Sequence, residues 1–247
     1  MNLLLMAHAA VGLEIFRWLV EHHPSDLSLV VTVEEDDIFH EAQRLGIQCC
    51  ALSSVPDVVA HAQSRGLMFD LGLLAWWPKL IRQPLIDLPK HGFVNTHPSL
   101  LPHNRGKHYN FWALIEQAPF GVSLHFVDGG IDSGDVIAQH EIPYGWEDTG
   151  ETLYFKAQAA IVRLFTSNYP QIRGLRIARR VQDPDHGSFH LGKEMDSKSE
   201  IVLDQPTTAR VLLNLLRART FEGHPSCRFT DGSDQYEVQV KIRKVTR

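Results

Sequence analysis

Residues 1–20 read MNLLLMAHAAVGLEIFRWLV, and the turn inside that stretch decides how the rest of the chain is read. Leu3 to Met6 has the unbroken apolar character of a strand covered on both faces, and Gly12 to His22 carries apolar residues at helical spacing. A strand that turns directly into a helix is the opening step of an α/β protein. The connecting MAHAAVG lacks the G-x-G-x-x-G glycines that let a pyrophosphate approach the backbone, so NAD dependence is not expected. His8, Glu14 and Arg17 interrupt the apolar stretch, no basic region precedes it, and it falls short of the ~18 charge-free residues of a membrane span. Neither a secretory signal nor a membrane anchor is expected.

The same alternation continues outward. Leu27 to Val33 predicts a strand, Phe39 to Leu45 a helix ending at Gly46, Ile47 to Leu52 a short strand and Val58 to Arg65 a helix, followed by the apolar run LMFDLGLLAWW at 67–77. Short apolar runs between helical patterns predict a doubly wound, Rossmann-like α/β fold with a mostly parallel sheet. Further on, Gly92 to His97 predicts a strand and Phe111 to Glu116 a helix. GVSLHFVDGGIDSGDVIAQHEI then predicts two strands joined by a glycine-rich turn, and Thr152 to Phe165 a helix. From Arg180 the run RVQDPDHGSFHLGKEMDSKSE is polar and turn-rich, which predicts a boundary: a first domain at 1–180 and a small α+β region at 181–247. In the latter, Thr207 to Arg219 predicts a helix capped at Thr207 or Thr208, and CRFT and YEVQVKIRKV predict strands joined through Asp231-Gly232.

A formal net charge of −5 over 247 residues gives no surface for coating a polyanion, so nucleic-acid binding is not expected. Of the three cysteines, Cys49 and Cys50 are adjacent, without CxxC spacing or the even count of a disulfide framework. They predict reduced, buried thiols in a cytoplasmic protein.

Chemistry gathers in two stretches. In FVNTHPSLLPHNRG, residues 93–106, a strand would place Asn95 and His97 on one side of the sheet, about 7 Å apart, where two polar groups can converge on one reacting atom. In VDGGIDSGDV, the carboxylates Asp128, Asp132 and Asp135 sit among Gly129, Gly130 and Gly134, which permit a tight loop and close approach of a ligand. The loop lacks the alternating acids of an EF-hand, and His97, His103 and His108 fit no common zinc spacing, so no metal is expected. The chain contains neither a G-x-S-x-G nucleophile elbow nor a Walker phosphate loop.

Together the two stretches carry N-x-H-P-S-L-L-P-x-x-R-G, then a Trp, then G-V-S-L-H-F-V-D-x-G-I-D-S-G-D, a pattern that resembles the formyltransferases using 10-formyltetrahydrofolate. The resemblance is strong over about residues 70 to 165 and closest to the sugar N-formyltransferases; RGKHYNFW departs from the R-G-x-x-P of the tRNA enzymes. It implies that Asn95, His97 and Asp132 are catalytic. That set suits formyl transfer to an amine: an amide donates to the oxygen that becomes anionic, an imidazole accepts the amine's proton, and a carboxylate orients the ring and favours its protonated form. His125, in the GVSLHFV strand, is expected to be packed and hydrogen-bonded rather than catalytic.

For the donor, the resemblance implies N10-formyltetrahydrofolate as co-substrate, near Trp77, Leu101, Asp128 and Gly130. For the acceptor, no Asp or Glu occurs from Leu88 to Ile115, while Lys90, Arg105 and Lys107 fall in that window. An acid-free window suits an anionic substrate such as a nucleotide diphosphate. Arg105, Lys107, Tyr109 and Asn110 are the expected substrate-binding residues, with Lys107 favoured on the diphosphate and Arg105 bracing its loop through backbone carbonyls. From His186 to Arg247 ten Lys or Arg stand against eight Asp or Glu, a balance of +2 that is little for gripping tRNA.

The implied reaction is therefore formylation of a dTDP-linked 4-amino-4,6-dideoxy sugar, or its 3-amino isomer, in polysaccharide biosynthesis. Methionyl-tRNA formylation, formyltetrahydrofolate hydrolysis and a non-catalytic folate- or nucleotide-binding module are the alternatives. Val211, Leu212, Leu215 and Leu216, at helical spacing, predict a homodimer, with packing on the chain's own first domain as the alternative.

Overall fold

The computed structural model describes residues 1–52 and 54–245. In chain order the elements begin with β1 (Leu3–Ala7), α1 (Ala9–His22), β2 (Leu27–Thr32), α2 (Asp37–Arg44), β3 (Cys49–Ala51), α3 (Val55–Ser64), β4 (Leu71–Ala75) and β5 (Phe93–His97). There follow β6 (Arg105–Gly106), α4 (Tyr109–Glu116), β7 (Gly121–Phe126), β8 (Val136–Glu141), α5 (Gly150–Arg173), β9 (Phe189–His190), α6 (Glu194–Lys198), α7 (Ala209–Arg219), β10 (Cys227–Asp231) and β11 (Asp234–Val238). Two compact units share the chain: the first comprises Met1–His97, Ser123–Gln139 and Ile161–Gln182, the second Pro98–Val122, His140–Ala160 and Asp183–Arg247.

The seven-stranded sheet runs β3-β2-β1-β4-β5-β7-β8. Pairing is parallel from β3 to β5 and turns antiparallel between β5 and β7. This is the expected α/β fold with a mostly parallel sheet. Every residue of β1 and β4 is buried, which is why both strands are apolar throughout rather than alternating. A Cβ at Gly12 would lie 3.1 Å from the Ala75 carbonyl oxygen and 3.2 Å from Ala7, so α1 packs closely over β1 and β4. Thr96 ties the ends of β4 and β5 together: its hydroxyl donates to the Leu74 carbonyl and accepts from the Trp76 amide, both at 3.0 Å.

The short elements β6, β9 and α6 were not expected, α1 and α3 each begin three residues earlier than expected, and two elements differ markedly at their C-terminal ends. α5 was predicted to end at Phe165 but continues through Pro170 to Arg173. Proline there removes only the hydrogen bond to the Thr166 carbonyl, and Thr166 is not buried, so water can replace it. β11 was predicted to run on to Val245 but ends at Val238, because β10 supplies only five residues, from Cys227 opposite Val238 to Asp231 opposite Asp234.

In the second unit, α7 packs on α4, and Thr208 caps α7 by accepting from the Val211 amide at 3.2 Å. β6 pairs in parallel with β9, where the His190 ring stacks on Trp112 with centroids 3.8 Å apart. Cys49, Cys50 and Cys227 are free thiols; burial pushes Cys50 up to about 11 and Cys227 up to about 12. Among the described residues no helix is long and apolar enough to cross a membrane.

The first unit is latched by a buried carboxylate. Asp26 accepts from Arg173 Nε at 2.7 Å, Arg173 Nη2 at 3.1 Å and the Tyr169 hydroxyl at 3.0 Å. Burial alone would raise its pKa, but the bonds from Arg173 and Tyr169 more than offset this and hold it below the usual carboxylate value. Because the folded value is the lower one, the latch contributes fully above the unfolded value of about 3.9 and is lost as pH falls through the folded value. Asp26→Asn is expected to cost about 2 kcal/mol in urea unfolding at pH 7, below the roughly 3–5 kcal/mol of a fully buried pair because the Arg173 end is open to water. Equal unfolding midpoints for variant and wild type at pH 7 would remove the latch from the account.

Candidate active site

β5 and β7 build the site. Their antiparallel register sets Asn95 opposite His125 and His97 opposite Ser123, so the four side chains share one face of the sheet. Asn95 Nδ2 lies 3.1 Å from His125 Nε2, and His125 Nδ1 lies 2.8 Å from the Phe126 carbonyl oxygen. A carbonyl only accepts, so Nδ1 carries the proton, and Nε2 of the neutral ring is left to accept from the Asn95 amide. Burial, reinforced by the charge of His97, brings the His125 pKa down to about 4 and keeps that ring neutral. His125 is thus packed and hydrogen-bonded, as expected.

Asp132 approaches from the β7–β8 loop. Its Oδ1 lies 3.4 Å from His97 Nδ1 and 3.8 Å from His125 Nε2. With His125 neutral, His97 is the nearer imidazole and can pair with Asp132 once it takes up a proton. The loop leaves the sheet beside the start of β5, where the Val127 amide donates to the Phe93 carbonyl at 2.9 Å, and folds back over the sheet face to reach His97. Asp128 shapes the first part of it by accepting from the Gly130 amide at 2.9 Å and the Ser133 hydroxyl at 2.8 Å. A Cβ at Gly134 would fall 1.9 Å from the Phe126 carbonyl oxygen, so only glycine fits there. Asp132 itself has φ +52°, a left-handed conformation.

The sequence offered no signal for Gln182, which supports this loop: its Nε2 donates to the Asp132 carbonyl at 2.9 Å and the Gly134 carbonyl at 2.6 Å. The donor atoms of His97, His125 and Asp132 lie within 4.8 Å of one another, close enough to share a metal ion. The His125 lone pair is already engaged by Asn95, which makes this a poor donor set for one.

The structure therefore brings Asn95, His97 and Asp132 together in the first unit, with Asp128 and Gly130 in the same loop. Trp77, also in that unit, is half-buried against the apolar core that includes Phe93 and Leu74. Leu101, Arg105, Lys107, Tyr109 and Asn110 belong to the second unit. Leu101 is buried, and Asn110 Nδ2 donates to the Gly150 carbonyl at 2.8 Å. Burial, then Tyr154, push the Tyr109 phenol well up. The amides of Arg105 and Lys107 donate to the Ser188 and His190 carbonyls at 2.9 and 3.1 Å. Lys107 is exposed. Arg105 is half-buried and its Nε is buried with no hydrogen-bond partner among the described residues.

The formyl transferase family profile matches residues 53–185, and an N-formyltransferase dimerization C-terminal domain matches residues 194–244. Human cytosolic 10-formyltetrahydrofolate dehydrogenase is 32% identical over 165 residues, covering 63% of this chain but 17% of its own length. Among solved structures, a 4-N formyltransferase from Francisella tularensis superposes with a TM-score of 0.83 at 21% identity, covering 99% of this chain and 98% of that one. An N-formyltransferase from Helicobacter canadensis, in complex with folinic acid and dTDP-3-aminofucose, gives a TM-score of 0.71 at 19% identity, covering 90% and 81%. The first profile spans more than half of the chain and both motif stretches, and the chain belongs to the formyl transferase family.

Proposed function

We propose that this chain is a sugar N-formyltransferase that formylates the amine of a dTDP-linked 4-amino-4,6-dideoxy sugar, or its 3-amino isomer. The observation that carries the reading is the meeting of Asn95, His97 and Asp132 on one face of β5. 10-Formyltetrahydrofolate supplies the formyl carbon and leaves as tetrahydrofolate. Asn95 has two amide N–H groups, of which His125 takes one; the other is free to donate to the formyl oxygen as charge develops there. His97 takes the proton that the amine must lose and returns it to N10 as the C–N10 bond breaks, and Asp132 steadies the ring while it is positive. Trp77, with part of its indole open, suits a flat pterin; Leu101, Asp128 and Gly130 complete the proposed folate site, Asp128 by shaping its loop.

For the acceptor we assign the diphosphate to Arg105 rather than Lys107. No hydrogen bond to a backbone carbonyl occupies the Arg105 side chain among the described residues, and a buried N–H without a partner calls for an acceptor. Tyr109 and Asn110 remain proposed sugar-side residues. The resemblance to a structure holding dTDP-3-aminofucose supports a dTDP sugar, and that to a 4-N formyltransferase supports the 4-amino position. We further propose a catalytic region at 1–180 with a small C-terminal region at 181–247, a cytoplasmic location, a role in polysaccharide synthesis, and a homodimer formed through the matched dimerization domain.

His97→Ala and Asp132→Asn are each expected to cut kcat strongly with little change in KM for the nucleotide sugar, His97→Ala by about 10²- to 10⁴-fold. Asn95→Ala should cost roughly 10²- to 10³-fold. A His97 variant with wild-type kcat would sink the assignment.

Arg105→Ala is expected to raise KM for the nucleotide sugar about ten- to a hundredfold, the worth of a charge-assisted hydrogen bond of about 1.5 to 3 kcal/mol, with the folate KM unchanged. The deciding assay is a panel of dTDP-, UDP- and GDP-linked 3-amino and 4-amino sugars with 10-formyltetrahydrofolate, read by product mass. Formylation of methionyl-tRNA but of no sugar would overturn the reading, and deformylation without any acceptor would identify a hydrolase. Light scattering at micromolar protein should give the mass of two chains; a monomer mass would rule out the dimer.

A further inference from the structure

We propose that Gln182 is a positioning residue for Asp132, its side-chain amide holding the β7–β8 loop in the backbone conformation that presents the carboxylate to His97. The inference rests on the catalytic reading of His97 and Asp132 given above. The loop must fold back from its exit beside Phe93 to His97 at the far end of β5, and at the point of contact Asp132 adopts φ +52°, unfavourable for a residue with a Cβ. Asp tolerates this conformation better than most side chains, and the bonds around it set how the carboxylate is presented.

The bonds made by Asp128 reach Gly130 and Ser133 but leave the carbonyls of Asp132 and Gly134 to other donors. Gln182 supplies both from one Nε2, bracketing Ser133 from the two sides. It is delivered there by a short antiparallel bridge: the Val136 amide donates to the Arg180 carbonyl at 2.8 Å and the Arg180 amide to the Val136 carbonyl at 2.9 Å. The Arg180 side chain also donates to Gln139, whose Nε2 donates to Ser123 Oγ at 2.9 Å on the strand that faces His97. Residues 180–182 thus form a strap across the base of the hairpin.

The orientation of the Gln182 amide is forced, because two carbonyl oxygens can be met only by its NH₂ end. Its Oε1 is consequently left buried with no partner among the described residues. A buried acceptor without a partner is unfavourable, and a residue chosen only to fill space would avoid it. The two donated bonds are what the position retains.

The test separates donation from packing. Gln182→Met and Gln182→Glu keep the length of the side chain and remove the donor; Gln182→Lys keeps a donor. With 10-formyltetrahydrofolate and the dTDP-linked 4-amino sugar, the Met and Glu variants are expected to lose about ten- to a hundredfold in kcat, as for a catalytic group displaced by about 1 Å. KM for both substrates should stay at wild-type values while Tm falls modestly, since two carbonyls lose their donor, and the Lys variant should keep kcat within threefold. In an Asp132→Asn background, Gln182→Met should add less than twofold, since residues acting through one another do not add. Should Asp132→Asn lower kcat while Gln182→Met does not, or should the two losses multiply, the positioning role is wrong and the catalytic reading stands. If Asp132→Asn leaves kcat unchanged, the catalytic reading falls and this inference with it. If the Met variant fails to fold, the contrast between the Glu and Lys variants decides: equal kcat values overturn the proposal.

Discussion

A hydrogen bond 3.1 Å long crosses from Asn95 on β5 to His125 on β7, and it exists in this form only while His125 is uncharged. Protonation of Nε2 would turn an acceptor into a donor and drive away the Asn95 N–H that points at it. The ring would then compete with His97 for Asp132, which lies 3.8 Å from one and 3.4 Å from the other. Burial prevents this by bringing the His125 pKa down to about 4, and the bond from Nδ1 to the Phe126 carbonyl fixes the tautomer. One neutral imidazole thus sets the direction of an amide and leaves a carboxylate to the other imidazole.

The antiparallel partner of β5 makes that arrangement possible. Direct opposition of Asn95 and His125, with His97 and Ser123 one step further along, is a property of an antiparallel ladder. The same reversal sends the chain out of β7 at the wrong end of β5 for a group that must act on His97, so the following loop folds back. Gly134, where a Cβ would fall 1.9 Å from the Phe126 carbonyl oxygen, and the left-handed Asp132 are consequences of that route rather than independent features.

Apolar runs too short for helices between amphipathic stretches predict the parallel sheet, because both faces of such strands are buried and the length of the runs argues against buried helices. Asn95 and His97 were legible because two residues on one strand keep their spacing in any fold that preserves the strand. Asp132 was reached through the family pattern, since nothing local to a glycine-rich loop distinguishes one of three carboxylates. Contacts set by topology left no trace: Gln182 meets Asp132 across 50 positions, and Asp26 meets Arg173 across 147. The extension of α5 through Pro170 was hidden for a related reason, as proline's effect depends on the solvation of a carbonyl one turn away.

The acid-free window from Leu88 to Ile115 acquires a sharper meaning where it ends. Glu116 is the first carboxylate after it, and its oxygens accept from Asn104 Nδ2 at 2.8 Å, the Ser188 hydroxyl at 2.8 Å and His190 Nε2 at 2.7 Å. Those three donors flank Arg105: Asn104 precedes it, and Ser188 and His190 lie on the segment that pairs with it through β6 and β9. The nearest acid in sequence is therefore committed to holding the loop in place, and it forms no ion pair with the Arg105 guanidinium among the described residues. A carboxylate turned on Arg105 instead would compete with any anionic substrate for its donors. In this chain the acid next to the window fixes the shape of the cationic loop without neutralising its charge.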